Sequence, residues 1–473
     1  MSFESVLVKI DSYVWGIPTI VLILLTGIIL TIRSRGIQFT KLLLASRLIF
    51  KKNDAEGELS GFSALCTALS ATIGTGNIVG VATAIKTGGP GALFWMWIAA
   101  IFGTATKFAE CMLAIKYREI KEDGHVLGGP FYTIEKGMGK RWKWLSYLFS
   151  IFGVMAGLLG IGTMSQINGI TSAIDMAFSN MSVAFSIGEK NYTWATVIGG
   201  VIVTVLAALV ILGGLKRISK VAQSVVPTMA IIYVLLGITV LAFNITHIPA
   251  AFLDIFKSAF GYKAIQGGAI GWTVKQVTDS MQKGIARGIF SNEAGLGSAP
   301  IAAASVQTSE PVEQGMVNMT GTVIDTLIVC TITGLTIVIS LTDSEFKAGD
   351  REGAQLTTSA FSHALGVSDS IIKYIIMVCL AFFAFTTILG WDYYSEKCIE
   401  YITNGRMRLV FIYRIIYIIF IAIGPYFTVN AVFTIADITN GLMAIPNCIS
   451  LIVLSGVVSR EVKTYFASLP SKN

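Results

Sequence analysis

The chain has 473 residues, 54% of them hydrophobic and only 13% charged, where soluble domains carry about 25% charged residues. A mean hydropathy of +0.71 excludes a soluble enzyme held by a single anchor and describes an all-α polytopic membrane protein. The net charge of +7 requires no nucleic-acid partner, because membrane proteins gather basic residues at their cytoplasmic boundaries.

The first apolar run, about 15–32, has neither a basic leader nor a small-residue cleavage site, so it reads as a retained span. The mixed segment 37–52 reads as interfacial. Further spans of about 20 apolar residues are expected near 60–85, 92–115, 144–171, 193–213, 222–243, 268–304, 317–341, 371–394, 409–427 and 431–457, giving eleven with the first. Connections on one side of these spans hold 22 Lys and Arg, and those on the other side hold 7. The positive-inside rule then puts the N-terminus outside the cell membrane and the C-terminus in the cytoplasm. The six cysteines are scattered and read as small core hydrophobes.

Two spans are interrupted. The first break is Ala71-Thr72-Ile73-Gly74-Thr75-Gly76-Asn77, and the second is Ser291-Asn292-Glu293-Ala294-Gly295-Leu296-Gly297. Hydrocarbon leaves freed backbone groups unsatisfied, so breaks at that depth survive where they line a protein cavity. Paired breaks at matching places point to the binding site of a secondary transporter. Setting aside 1–59 as an extra leading helix and interfacial segment, five spans fall in 60–243 and five in 268–457, followed by a tail at 458–473. An odd number of spans per half inverts the second half relative to the first.

The stretch Gly88-Gly89-Pro90-Gly91-Ala92-Leu93-Phe94-Trp95-Met96-Trp97-Ile98 resembles the signature of the sodium:alanine (alanine or glycine:cation) symporter family. Gly74-Thr75-Gly76-Asn77, Gly128-Gly129-Pro130 and the run Ser291 to Pro300 agree with it in family order. The resemblance implies a leucine-transporter-like 5+5 inverted repeat with one extra N-terminal helix. It also implies coupling of Na+ entry to uptake of small neutral amino acids, alanine and glycine first and serine as a further candidate; separately, a monomer without an organic cofactor is expected. The alternative is a proton-coupled or other small-solute carrier on the same fold.

A zwitterion needs donors for its carboxylate and acceptors for its ammonium, and an unwound helix offers both. At Gly74, Thr75 and Gly76 the freed N–H groups and the positive end of the next half-helix suit a carboxylate, and Asn77 adds a side-chain oxygen. The same glycines also suit close helix packing. Carbonyls near Phe290 and Ser291 suit the ammonium, with Phe290 as a pocket wall. Thr387 and Trp391 lie four apart on one helix face, and Trp391 suits a pocket cap or ordinary packing. Gln166 faces substrate by family position or bonds a neighbouring helix. Carried over from the resemblance, Na+ takes Thr386, Thr387 and the carbonyls of Ser70 and Ile73, while a second Na+ takes Thr72 and Asn77. Oxygen-only ligands suit this hard cation.

Glu293 either tunes or gates the site, or pairs with Arg287 to hold the broken helix around Gly295 and Gly297. Lys107 and Glu110, three apart, are expected to pair. Asp325, Asp392 and Asp437 lie in or beside apolar spans and are left unranked. An intramembrane enzyme is disfavoured, since His125, His247 and His363 all fall in connections without metal-ligand spacing. A channel is disfavoured by the lack of a repeated filter motif.

Overall fold

A computed structural model describes residues 3–51, 57–187, 190–261, 270–342, 349 and 351–468. The expected start of the second repeat at 268 and the last five residues of the tail lie outside these. Among the described residues, eight helices are long and apolar enough to cross a membrane. Two bent pairs, Glu4–Val14 with Ile17–Arg33 (41°) and Gly61–Thr72 with Gly76–Gly88 (49°), raise the number to ten. The expected span 268–304 is built as the helix Ile270–Asn292, a break, and the short helix Ala299–Ala304.

Burial separates the centre from the rim. The apolar stretch of Gly91–Tyr117 is 83% buried, against 28% for Gly214–Phe243 and for Met407–Tyr426. Those rim helices turn Ile231, Leu235 and Ile238, and Phe411, Ile415 and Ile419, outward, which is the lipid face of a spanning helix. Small residues let the centre close up. A side chain on Gly91 would meet the Ala259 backbone at 2.4 Å, and one on Gly390 would meet Ala71 at 2.7 Å. Ser60 and Thr193 begin their helices by accepting from Ser63 N (3.2 Å) and Thr196 N (3.3 Å), as N-cap hydroxyls do.

The segment 37–52 contains the short helices Ile37–Thr40 and Leu42–Leu48. Phe39, Leu43 and Phe50 are 67, 81 and 75% exposed beside Arg35, Lys41 and Arg47, a surface that suits the membrane interface. Several elements lie where the sequence suggests only connections: the strand pair Val183–Ile187 with Lys190–Thr193, the helices Ile248–Ala259 and Gly353–Leu365, and the helix Phe3–Val14 before the first span. The helix Phe3–Val14 packs against the long helix Val429–Ser468, with Val14 and Trp15 closing over Gly441.

Candidate functional site

The helix Gly61–Thr72 ends at Ile73 (φ −80°, ψ 98°) and resumes as a π-helical turn, Gly76–Gly80. Local π geometry often marks functional positions. Two freed N–H groups take side-chain acceptors. Gly74 N donates to Asn77 Oδ1 (2.9 Å), and Thr75 N donates to Gln166 Oε1 (3.0 Å). Thr387 donates its hydroxyl toward the Ile73 carbonyl (3.2 Å) and the Phe383 carbonyl (3.0 Å). A side chain on Gly74 would strike Thr387 Oγ1 at 2.5 Å and Gln166 Oε1 at 2.9 Å, so glycine is required by close approach.

The two breaks face each other. A side chain on Gly76 would lie 3.1 Å from both Phe290 and the Ser291 backbone. Between them stands Asp325, in the π-helical stretch Val323–Cys330. Its Oδ1 accepts from Asn77 Nδ2 (2.6 Å), and its Oδ2 accepts from Ser291 Oγ (2.8 Å) and Thr326 Oγ1 (2.7 Å). This carboxylate joins both breaks, and nothing in its local sequence distinguishes it from Asp392 or Asp437.

The second break is held differently. Glu293 (φ 56°), Gly295 (φ 92°) and Gly297 (φ 78°) adopt left-handed backbone, costly for the glutamate. Glu110 Oε1 accepts from Gly295 N (3.0 Å) and Asn447 Nδ2 (2.6 Å). The protein's own carboxylate therefore sits at the freed N–H groups ahead of Ala299–Ala304.

Two expected pairings are corrected here. Glu293 does not pair with Arg287; it accepts from Trp391 Nε1 (2.6 Å) and Ser298 Oγ (2.6 Å). Arg287 instead pairs with Asp437 (2.6 Å) and lies 5.4 and 5.6 Å from the ring centres of Phe290 and Phe433. Lys107 does not pair with Glu110, since its buried ammonium has no hydrogen-bond partner among the described residues.

Thr387 and Trp391 both turn to the breaks, as four-residue spacing requires. Thr386 turns away, bonding the Phe382 and Phe383 carbonyls (3.1 and 3.0 Å) beside Met229. The hydroxyls of Ser70 and Thr72 bond within their own helix, to Thr67 O and Ala68 O.

A cavity of about 620 Å³ opens beside the site, with Val79, Thr83, Asn168, Arg287, Glu352 and Phe433 in its wall. At the opposite end the chain is latched. Arg118 donates to the carbonyls of Ala304, Val306 and Thr308, while Glu58 N and Leu59 N donate to Ser305 O. His125 bonds Glu400 (2.6 Å) and lies 3.4 Å from Glu58. The hydrogen bonds with Glu400 and then Glu58 push the His125 pKa up to about 9. The latch therefore contributes its full stability between pH 4.5, the ordinary value of its carboxylates Glu58 and Glu400, and pH 6.5, the ordinary histidine value, and loses it as pH rises through about 9. The melting-temperature difference between the wild type and His125→Ala is expected to be largest between pH 4.5 and 6.5 and to shrink as pH rises through about 9.

Among the described residues, up to ten crossing-length helical units pack around two facing helix breaks, which defines a membrane transporter with a leucine-transporter-like fold. The same fold appears in MhsT, solved in complex with L-phenylalanine, at a TM-score of 0.57 and 12% identity, covering 86% of this chain and 99% of that one. The chain matches the sodium:alanine symporter family across residues 1–473 and belongs to it. It is 44% identical to the sodium/alanine symporter AgcS of Methanococcus maripaludis, over 98% of each chain. It is 49% identical to an uncharacterized transporter of Haemophilus influenzae, over 99% of this chain and 97% of that protein. A Bacillus subtilis relative, 36% identical over 96% of this chain and 89% of its own, is named a probable sodium/glutamine symporter, GlnT.

Proposed function

We propose that the chain couples Na+ entry to uptake of small neutral amino acids, alanine and glycine first, by alternating access across the cell membrane. The observation that carries this is the asymmetry of the two breaks. At the first, the N–H groups of Gly74 and Thr75 rest on neutral side-chain oxygens, which a substrate carboxylate can displace. At the second, Glu110 already occupies the Gly295 N–H, so that break offers acceptors to the ammonium instead. A side chain on Gly76 would lie only 3.1 Å from Phe290 and Ser291, and this narrow gap favours a small substrate side chain.

The coupling cation takes the Ile73 carbonyl and Thr387 hydroxyl, with the Ser70 carbonyl and Thr386 completing the shell once that helix turns. A second cation takes the Thr72 carbonyl and Asn77. The repeats 60–243 and 268–457 move against each other, with Arg287 and Asp437 as the outer gate and the His125–Arg118 latch as the inner closure. The N-terminus lies outside. One charge moving through ~100 mV supplies about 2.3 kcal/mol, or roughly 40-fold accumulation per ion.

Proteoliposomes separate this from the proton-coupled reading. Labelled alanine uptake is expected with Na+ and lost with choline at fixed pH, and an unlabelled competition panel ranks alanine, glycine, serine and glutamine. Uptake that persists in choline and follows a pH gradient overturns Na+ coupling.

A further inference from the structure

The N-terminal helix Phe3–Val14 places a second carboxylate at the outer gate. Its Glu4, Leu7 and Val8 line the cavity wall together with Lys283 and Arg287. One turn deeper on the same helix face, Asp11 joins Lys283, Arg287 and Asp437 in one electrostatic cluster of two acids and two bases. The helix is fixed there: Trp15 Nε1 donates to the Asp437 carbonyl (2.8 Å), and Gln282 Nε2 donates to the Trp15 carbonyl (2.8 Å). Arg287 Nη2 serves Asp437 Oδ2 at 2.6 Å. Three buried atoms of the cluster, Asp11 Oδ1, Arg287 Nη1 and Asp437 Oδ1, have no hydrogen-bond partner among the described residues. An unused donor on Arg287 and an unused acceptor on Asp11 are costly where they stand.

We propose that Asp11 is a positioning residue of the outer gate: it is the alternative partner of Arg287, taking the guanidinium when the gate opens and releasing it to Asp437 when the gate closes. Two carboxylates on separate elements sharing one arginine make a two-position switch. The guanidinium's planar fork suits it to exchange bidentate partners. Asp11 then sets how much of the protein rests with its vestibule open, and so scales the apparent affinity for outside substrate. This last consequence rests on the transport reading, but the switch does not.

The test uses a substrate-independent probe in the full-length protein. The six native cysteines are buried, so a single Val79→Cys in the cavity wall reports vestibule opening through its rate of reaction with a membrane-impermeant thiol reagent. Asp11→Asn is expected to slow labelling about fivefold, Asp437→Asn to speed it, and Asp11→Glu to restore the parental rate. A helix acting only as packing predicts the opposite sign for Asp11→Asn, since loosening it opens the cavity. Faster or unchanged labelling in Asp11→Asn overturns the proposal. In uptake, Asp11→Asn is expected to raise KM about fivefold with kcat within about twofold. A wild type that carries no alanine defeats the transport reading while the labelling rates still decide the role of Asp11.

Discussion

Asp325→Ala is expected to lower kcat/KM for amino-acid uptake at least ~100-fold in protein that still inserts and elutes as a single species. The side chain is the shared acceptor of Asn77, Ser291 and Thr326. Truncation takes the carboxylate away from three buried donors and leaves Asn77 and Ser291 with weaker contacts to the Asp325 carbonyl and the Cys330 thiol, at a cost of up to about 1–3 kcal/mol each. The hydroxyls can rotate to other acceptors, but the Asn77 amide loses its 2.6 Å bond and keeps only two contacts of 3.3 Å, so the side chain that holds Gly74 N is less firmly placed. The loss therefore passes directly to the N–H group proposed to meet the substrate carboxylate.

Asp325→Asn separates charge from geometry. Its amide can accept from Asn77 and donate to both hydroxyls, so the bonding pattern survives while the negative charge is lost. Uptake is then expected to persist at high Na+, with the half-saturating Na+ concentration raised roughly tenfold, about 1.4 kcal/mol of cation binding. Kinetics of both variants within threefold of the wild type would remove Asp325 from the site.

The glycine breaks were legible because their signal is local: a few small residues inside an apolar run, which only a lined cavity tolerates. The groups that hold the breaks were not legible. Asn77 and Asp325 are 248 positions apart, and Glu110 and Asn447 are 337 apart. Nothing in the run around Asp325 tells whether it meets a break, an arginine or lipid. The Glu293–Arg287 and Lys107–Glu110 pairings failed for the opposite reason. Proximity along a helix favours a pair by only a few tenths of a kcal/mol. Here the backbone N–H of Gly295, the indole of Trp391 and the carboxylate of Asp437 offered buried partners across helices. Thr386 and Thr387 show how narrow the limit is, since neighbours on a helix point about 100° apart. The helix Phe3–Val14 was missed because Glu4, Lys9 and Asp11 interrupt its apolar residues, so its amphipathic face did not register as part of a span.

Glu110 gives the second large effect, and it should differ in kind from that of Asp325. Its carboxylate satisfies the Gly295 N–H and the Asn447 amide inside the second break. Hydrogen bonds to a charged group are worth about 1.5–3 kcal/mol each, so Glu110→Ala is expected to destabilise the protein by about 3–5 kcal/mol. In detergent this is read as a large fall in melting temperature and in the yield of folded material. Glu110→Gln keeps one acceptor and should lose only about 1–2 kcal/mol. Because Glu110 acts on the frame of the second break, the surviving Glu110→Gln protein should keep the wild-type dependence on Na+, whereas Asp325→Asn should not. A Glu110→Gln variant of normal stability whose half-saturating Na+ concentration rises as much as that of Asp325→Asn would mean that both carboxylates serve the cation. The two breaks would then no longer divide carboxylate from ammonium in the way their hydrogen bonds suggest.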